Sequence, residues 1–373
     1  MARRHDPSDV VVVGAGFAGA TAARALADAG RRVLLIDRRT GPGGNAADGP
    51  DAHGILVHHH GPHIFHTDSE RVVAFLSRFT AWREYTHRVL AEHDAVLYPF
   101  PINRTTLERF FAVELPRPDD AERFLEERRT RIHPERNSED VVRNRVGDQL
   151  FEAFFRHYTT KQWGREPAQL GPEVARRIPV RFDRDDRYFT HRHQGLPRDG
   201  YAALFANMLD HPDITTIWGE AYHAATHRHL APLLIWSGPV DACFGHCHGH
   251  LPWRSLRFEP DHHPGTDLRQ AGPVINAVDP LPLHTRSTEY RQLTGQSAGG
   301  STLIREFPTD DGEPYYPVPG DSNAALHRRY AAMAARTNDT LFVGRLGRYR
   351  YLDMDRTVLE SLVLVDRLVG APA

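Results

Sequence analysis

Lysine is nearly missing from this chain: of 46 basic residues, all but Lys161 are arginine. Cysteine is almost as scarce, with only Cys243 and Cys247 among 373 residues. Two cysteines build no disulfide framework, and reduced thiols fit a cytoplasmic location. No run of about 20 apolar residues occurs, so no membrane-spanning helix is expected. The opening MARRHDPSDV lacks the apolar stretch of a secretory signal, and none is expected there. A formal net charge of −2 leaves no basic surplus to meet nucleic acid or an anionic membrane. The one lysine stands in YTTKQWG. It is there either by chance or because an ammonium fits where a guanidinium does not.

What is present begins with residues 10–37, VVVVGAGFAGATAARALADAGRRVLLID. A β-branched run leads into Gly14-x-Gly16-x-x-Gly19, an Ala/Leu-rich helical segment follows, and a second apolar run ends in Asp37. Glycines at these spacings allow a tight turn and bring a pyrophosphate close to a helix N-terminus, while Asp37 is placed for a ribose hydroxyl. The pattern predicts a dinucleotide site. The next loop, RRTGPGGNA, carries Gly43, Gly44 and Asn45, and a Gly-Gly pair just past the acidic residue resembles the FAD-binding branch. The chain end, TLFVGRLGRYRYLDMDRTVLESLVLVDRL, reads as strand, glycine loop and closing helix opened by Asp353 and Met354. It resembles the flavoprotein element whose helix N-terminus faces the flavin. An ordinary terminal helix with an aspartate cap is the plainer alternative.

Two histidine-rich stretches raise the question of metal. HHHGPHIFHT, residues 58–67, holds His58, His59, His60, His63 and His66. No carboxylate or cysteine lies nearby at ligand spacing. CFGHCHGH, residues 243–250, pairs C-x3-C with interleaved histidines, but reads equally as an irregular sheet segment. No metal is expected in either.

The segment 104–176 is rich in Arg, Glu and Leu at helical spacing, as in LERFF, AERFLEERR and LFEAFFRHY. Stretches near 85–100, 214–236, 254–260, 273–278 and 301–318 read as strands, and 178–191 as a loop with a short strand. The expected class is α/β. A Rossmann-like FAD-binding domain is drawn from 1–80, 192–245 and 335–373. A helical insert domain spans 104–177. An antiparallel β-sheet domain is drawn from 81–103, 178–191 and 246–334.

GPHIFHTD, PFPIN, YTTKQWG, RIPVRF, GEPYYPV and GRLGRYRYLDMD occur together and in order along nearly the whole chain. As a set they resemble the bacterial UDP-galactopyranose mutase family. The resemblance implies a flavin enzyme, active with reduced FAD, that exchanges pyranose and furanose forms of a nucleoside-diphosphate hexose without net redox change. In that family N5 of the reduced flavin attacks the anomeric carbon, the nucleoside diphosphate leaves and later returns, and the enzyme is a homodimer. A departing diphosphate needs fixed cations. The resemblance assigns that task to Arg177, on a mobile loop, and to Arg286. It places His63 and His66 beside the isoalloxazine. Substrate contacts carried over are His60, His87, Phe154, Tyr158, Thr159, Trp163, Arg177, Tyr188, Asn276, Arg286, Tyr316 and Tyr351. Cofactor contacts are Gly14, Gly16, Phe17, Gly19, Asp37, Arg38, Gly44, Asn45, His63, Ile64, Gly344, Arg345, Asp353 and Met354. The candidate catalytic set is His63, Arg177 and Arg286.

The sequence departs from the family pattern where the motifs border the sugar nucleotide. His60 replaces a tyrosine, His87 an asparagine, His157 a glycine and His284 a tyrosine, and Ala277 stands where an aromatic is usual. UDP-galactopyranose is the default substrate. A different nucleoside-diphosphate hexose, such as a GDP-hexose, is the alternative, because a polar pocket discriminates hydroxyl patterns strongly. An amine-oxidase-like FAD oxidoreductase and a non-catalytic nucleotide- or metal-binding protein are the competing classes.

Overall fold

A computed structural model describes residues 8–176, 179–265 and 267–370. The β-branched run Val10–Val13 is a central strand of a five-stranded parallel sheet, ordered Ile214–Trp218, Val33–Asp37, Val10–Val13, Leu233–Trp236, Thr340–Phe342. Such strands are near-continuous apolar runs because helices cover both faces. The helix Phe17–Asp28 crosses from the first strand to the second, its Ala-rich face buried on the sheet. Its approach is so close that a Cβ on Gly19 would lie 1.8 Å from the carbonyl oxygen of Gly14. Only glycine permits that contact. The closing helix Met354–Val369 joins the same core through Val358, Leu362 and Val365.

A seven-stranded sheet lies beside it, ordered Tyr316–Pro317, Trp253–Pro264, Gly300–Thr309, Arg286–Glu289, Val274–Ala277, Val89–His93, Val96–Phe100. Its pairs are antiparallel except Val274–Ala277 with Val89–His93. The predicted strand region 214–236 is two strands with a short helix, Ala224–His227, between them. A three-stranded sheet, Phe65–Thr67, His193–Pro197 and Trp82–Glu84, holds the end of the histidine stretch.

Residues 104–176 are helical, as their periodicity predicts. Leu107, Leu125, Val141, Phe151 and Phe154 bury against Val89, Tyr98, Phe100 and Val274, so this bundle caps one end of the seven-stranded sheet. The helix Ser138–Leu150 is interrupted at Gly147, whose φ of 79° lies in the left-handed region, and continues as a π-helix, Phe151–Arg156. That irregularity aims the next helix, His157–Trp163, toward the sheets; π-turns are frequent at functional sites.

Two readings are corrected. CFGHCHGH is no sheet segment: a short helix, Val240–Cys243, runs into consecutive turns. The turn-forming glycines Gly245 and Gly249 both have positive φ, which overrides the alternation. The helix Asp321–Ala334, expected with the antiparallel sheet, instead packs Tyr330 with Val240 and Leu251 beside Phe342 of the parallel sheet.

Candidate active site

The dinucleotide fingerprint has the required geometry. Gly14 has φ +94°, and Gly16 and Gly44 touch backbone to backbone, so that a Cβ on Gly44 would lie 2.8 Å from Cα of Gly16. The helix Phe17–Asp28 has no side-chain cap at Gly16, which leaves its first N–H groups for an anion. Asp37, buried at the end of the second strand, accepts from Ala15 N–H at 2.6 Å and Arg39 N–H at 2.8 Å. It therefore shapes the glycine turn as well as facing it. Phe17 turns its ring into the core against Tyr201 and Phe205, so only its backbone is offered to a cofactor. Arg38 and Arg39 both pair with Glu313, and Asn45 accepts from Arg39 and donates to the Pro314 carbonyl. This loop is thus tied to the strand carrying Tyr316.

The chain end closes the far side of the site on a tight glycine turn and a bare helix start. Gly344 has φ +74°, and a Cβ there would meet Ala18 at 2.7 Å. Asp353 stands at the N-cap of the helix Met354–Val369 without a side-chain bond to its first turn, leaving that helix end free as well. Asp355 in the same turn accepts from the Thr67 hydroxyl at 3.0 Å, joining the helix to the histidine stretch.

The five histidines do not converge. Among the described residues no three groups from this stretch offer ligating atoms together. His58 is buried, and its Nδ1 accepts from the His63 backbone N–H at 2.9 Å. His60 Nδ1 meets the Tyr315 hydroxyl at 2.7 Å. His66 stacks on Phe189, with centroids 3.6 Å apart, and faces His191. That ring is taken up by packing. His63 is different. Its Nδ1 lies 2.8 Å from the Gly61 carbonyl, an acceptor only, so a neutral His63 carries its proton on Nδ1 and leaves Nε2 open. Burial, with Arg345 and Arg286 nearby, pushes its pKa down to about 4, so it is neutral at pH 7. Ile64 is buried in the core and anchors the loop.

Arg286 is the centre of the constellation. In the seven-stranded sheet it stands between Asn276 on one neighbouring strand and Glu306 on the other. Its Nη1 lies 3.6 Å from Glu306 Oε2. Burial opposes its charge, but Glu306 and the hydroxyls of Tyr158, Tyr316 and Tyr188 raise its pKa well above the usual value. Among the described residues three buried polar atoms here find no hydrogen-bond partner: Arg286 Nε, Glu306 Oε1 and Asn276 Oδ1. Unpaired buried groups in a row are costly unless a ligand completes them. Tyr316 stacks on Tyr351 at 5.9 Å, with Trp163 at its edge and the Arg345 guanidinium over both tyrosine rings. Burial and Tyr351 push the Tyr316 pKa up to about 12, so it is a hydroxyl donor. Arg345 also donates to the Tyr315 and Leu352 carbonyls. His87, buried between Tyr188 and Phe189, meets the Tyr85 hydroxyl at 3.1 Å. A cavity of about 350 Å³ opens at the outer end, sharing Trp163 and Tyr351 with this group.

Three site expectations end differently. Arg177 lies outside the described residues. Phe154 is 1% exposed among Tyr98, Phe110 and His93 and belongs to the core, as its helical spacing allowed. Thr159 is half-buried on the helix His157–Trp163. Glu306, Tyr315 and Tyr85 were missed. A glutamate in a strand alternation carries no signal until its cross-strand partner is known.

Lys161 resolves its own question. Its ammonium donates to the carbonyls of Ala277 at 2.7 Å, Pro282 at 2.9 Å and His284 at 3.1 Å. Three converging acceptors match the three protons of an ammonium, not a planar fork. The contact ties the helix bearing Tyr158 and Trp163 to the strand bearing Asn276. His284 ring contacts are with Phe307, and burial and Lys161 push its pKa down to about 4.

Comparison with known proteins follows the same outline. A family model described as UDP-galactopyranose mutase matches residues 153–351, and one described as an NAD(P)-binding Rossmann-like domain matches residues 12–79. A probable UDP-galactopyranose mutase of Klebsiella pneumoniae is 37% identical over 372 residues, covering 98% of this chain and 96% of the relative. A dTDP-fucopyranose mutase of Escherichia coli is also 37% identical, covering 95% of this chain and 96% of the relative. Among solved structures, reduced UDP-galactopyranose mutase superposes with a TM-score of 0.78 at 17% identity, covering 97% of this chain and 96% of that one. Putrescine oxidase bound to putrescine superposes with a TM-score of 0.57 at 14% identity, covering 97% and 99%. These superpositions speak for the fold alone.

Proposed function

This chain belongs to the UDP-galactopyranose mutase family, and on that premise we propose that it interconverts the pyranose and furanose forms of a nucleoside-diphosphate hexose, with UDP-galactopyranose as default substrate and FAD as cofactor. The observation that carries the proposal is the row Asn276, Arg286 and Glu306, in which Asn276 Oδ1, Arg286 Nε and Glu306 Oε1 have no hydrogen-bond partner among the described residues, beside tyrosines and His63.

Reduced FAD, when bound, would supply the nucleophile for the ring interconversion. The protein supplies the rest. Gly14, Gly16, Gly19 and Gly44, with the bare helix end at Gly16, receive the pyrophosphate of the cofactor. By the family resemblance, Asp37, Arg38 and Asn45 would hold its ribose side, and Ile64, Gly344, Arg345, Asp353 and Met354 would border its ring. Arg286 receives the leaving diphosphate, where charge develops, and Tyr158, Tyr188, Tyr316 and Tyr351 donate hydroxyls to it. Arg177, outside the described residues, is carried over from the resemblance of RIPVRF as a second cation for the diphosphate. His63, neutral with Nε2 open, accepts a hydrogen bond without adding positive charge beside the cofactor. His60, His87, Thr159, Trp163 and Asn276 border the sugar nucleotide. The enzyme acts as a homodimer on the family pattern, in the cytoplasm on its free thiols.

Two relatives of equal identity act, by name, on different sugar nucleotides, so likeness alone does not choose the hexose. The test is anaerobic incubation of the dithionite-reduced protein with UDP-galactopyranose, dTDP-fucopyranose and GDP-hexoses, followed by chromatography of the nucleotide sugars. A furanose product without consumption of reductant supports the proposal. UDP-galactopyranose turnover would make the pocket histidines neutral drift. Turnover of another sugar nucleotide alone would make them the specificity change. Acceptor consumed in proportion to product would overturn the mutase reading in favour of an oxidoreductase.

A further inference from the structure

We propose that Asp241, His246 and His250 form a binding site for one divalent transition-metal ion of the zinc class, outside the active site. They offer one ligand atom each, all within 4.8 Å of one another. His246 Nδ1 lies 3.2 Å from Asp241 Oδ2. In a tetrahedral complex with metal–ligand bonds of about 2.0–2.1 Å, neighbouring ligand atoms stand about 3.3 Å apart. The His246 and His250 rings are already close, 4.0 Å between centroids and tilted by 32°. Exposed His250 has room to swing the remaining distance.

A second observation points to a cation as the ligand. Asp241 is 2% exposed. Its Oδ2 is used by His246 and by the Leu251 N–H, but Oδ1 has no hydrogen-bond partner among the described residues. A buried carboxylate oxygen without a partner is costly, and a cation removes the cost. The carboxylate borders a cavity of about 510 Å³, lined also by Trp163, Arg254 and Asp310, which gives an ion and its water ligand a way in.

Two imidazoles and one carboxylate select zinc or cobalt over calcium or magnesium, which prefer all-oxygen sites. The sulfurs that suggested zinc in the sequence are not ligands. Neither sulfur belongs to the group of converging ligand atoms, and Cys247 points to the sulfur of Met333. The ligands come from an Asp-x4-His-x3-His spacing that the two cysteines obscure. Asp241 and His250 bracket the turns leading from the parallel sheet to the strand Trp253–Pro264. An ion there would staple the link between the two sheets, with water in the fourth position.

The test uses tag-free, full-length protein with its cofactor, stripped by chelator and titrated with Co²⁺ and Zn²⁺. The expected result is one Co²⁺ per chain with the visible bands of a tetrahedral site, displaced by Zn²⁺, and a rise in Tm on loading. His246→Ala abolishes the bands, and His250→Ala weakens binding at least about tenfold. Both side chains are solvent-accessible, so the variants keep the fold. Failure to bind one equivalent overturns the proposal. So does unchanged binding in the His246→Ala/His250→Ala double variant, which would assign the metal elsewhere, first to His93, Asp94 and Asp279.

Discussion

Arg286 and Glu306 face each other across two antiparallel strands, their charged atoms 3.6 Å apart and each with one nitrogen or oxygen left without a hydrogen-bond partner among the described residues. The arrangement holds a guanidinium in place while leaving part of it available to a ligand. Glu306, adjacent to Gly61 of the histidine stretch, also brings that loop and the arginine into one site.

Structural and functional roles of this pair are separable. Arg286→Ala strands the buried Glu306 carboxylate and is expected to cost about 3 kcal/mol of stability. It also removes most activity while leaving the protein yellow. Adding Glu306→Gln to Arg286→Ala restores most of the stability and none of the activity. Chemical denaturation beside turnover checks both. Recovered activity in the double variant would deny Arg286 its place at the diphosphate.

Lys161→Arg tests the ammonium site. A planar guanidinium cannot reach three carbonyls that converge on one nitrogen, and those acceptors are left short of a donor. A loss of about 2 kcal/mol is expected. A raised KM goes with it, because the helix carrying Tyr158 and Trp163 loses its tether. Lys161→Arg with unchanged Tm and KM would mean that the lone lysine is an accident of composition.

Gly44→Ala puts a Cβ 2.8 Å from Gly16 at a positive φ. The loop must lift from the glycine turn, and FAD retention falls sharply. Flavin absorbance per polypeptide in the purified variant reads the effect. Gly30→Ala is the control: it too has positive φ, but nothing stands within 4 Å. It strains the backbone by about 1 kcal/mol without touching the cofactor.

Acid stability follows from the buried histidines. Burial, with Arg286 and His66 nearby, holds the His87 pKa down at about 3, against about 6.5 when unfolded. The folded state therefore binds fewer protons than the unfolded state between those values. Stability is fully present above pH 6.5 and falls as pH drops toward 3, by about 1 kcal/mol per pH unit for one such group. His87→Asn removes that proton from the balance and flattens the slope. Urea midpoints from pH 7 to pH 4 check it, and an unchanged slope would place the sensitivity in the other buried histidines, His58, His60, His63 or His284.

The dinucleotide fold was legible in the sequence because its determinants are local. Strand, glycine turn, helix and terminal acid lie in Val10–Asp37, and the helical bundle announces itself by period. The motif order exposed the family for the same reason: each motif is a short contiguous stretch. The histidine cluster misled because adjacency along the chain says nothing about direction. In the fold His58, His60, His63 and His66 point to four different sets of partners. Phe154 misled in reverse, since a helical aromatic reads the same whether it lines a pocket or fills a core. What only tertiary structure decided are the pairings across distance. Glu306 meets Arg286, three carbonyls meet Lys161, and Asp241 meets two histidines in place of the cysteines beside them. Each depends on strand register or a turn made by positive-φ glycines, and on the cost of leaving a buried polar group alone. A linear sequence does not display which groups are buried together.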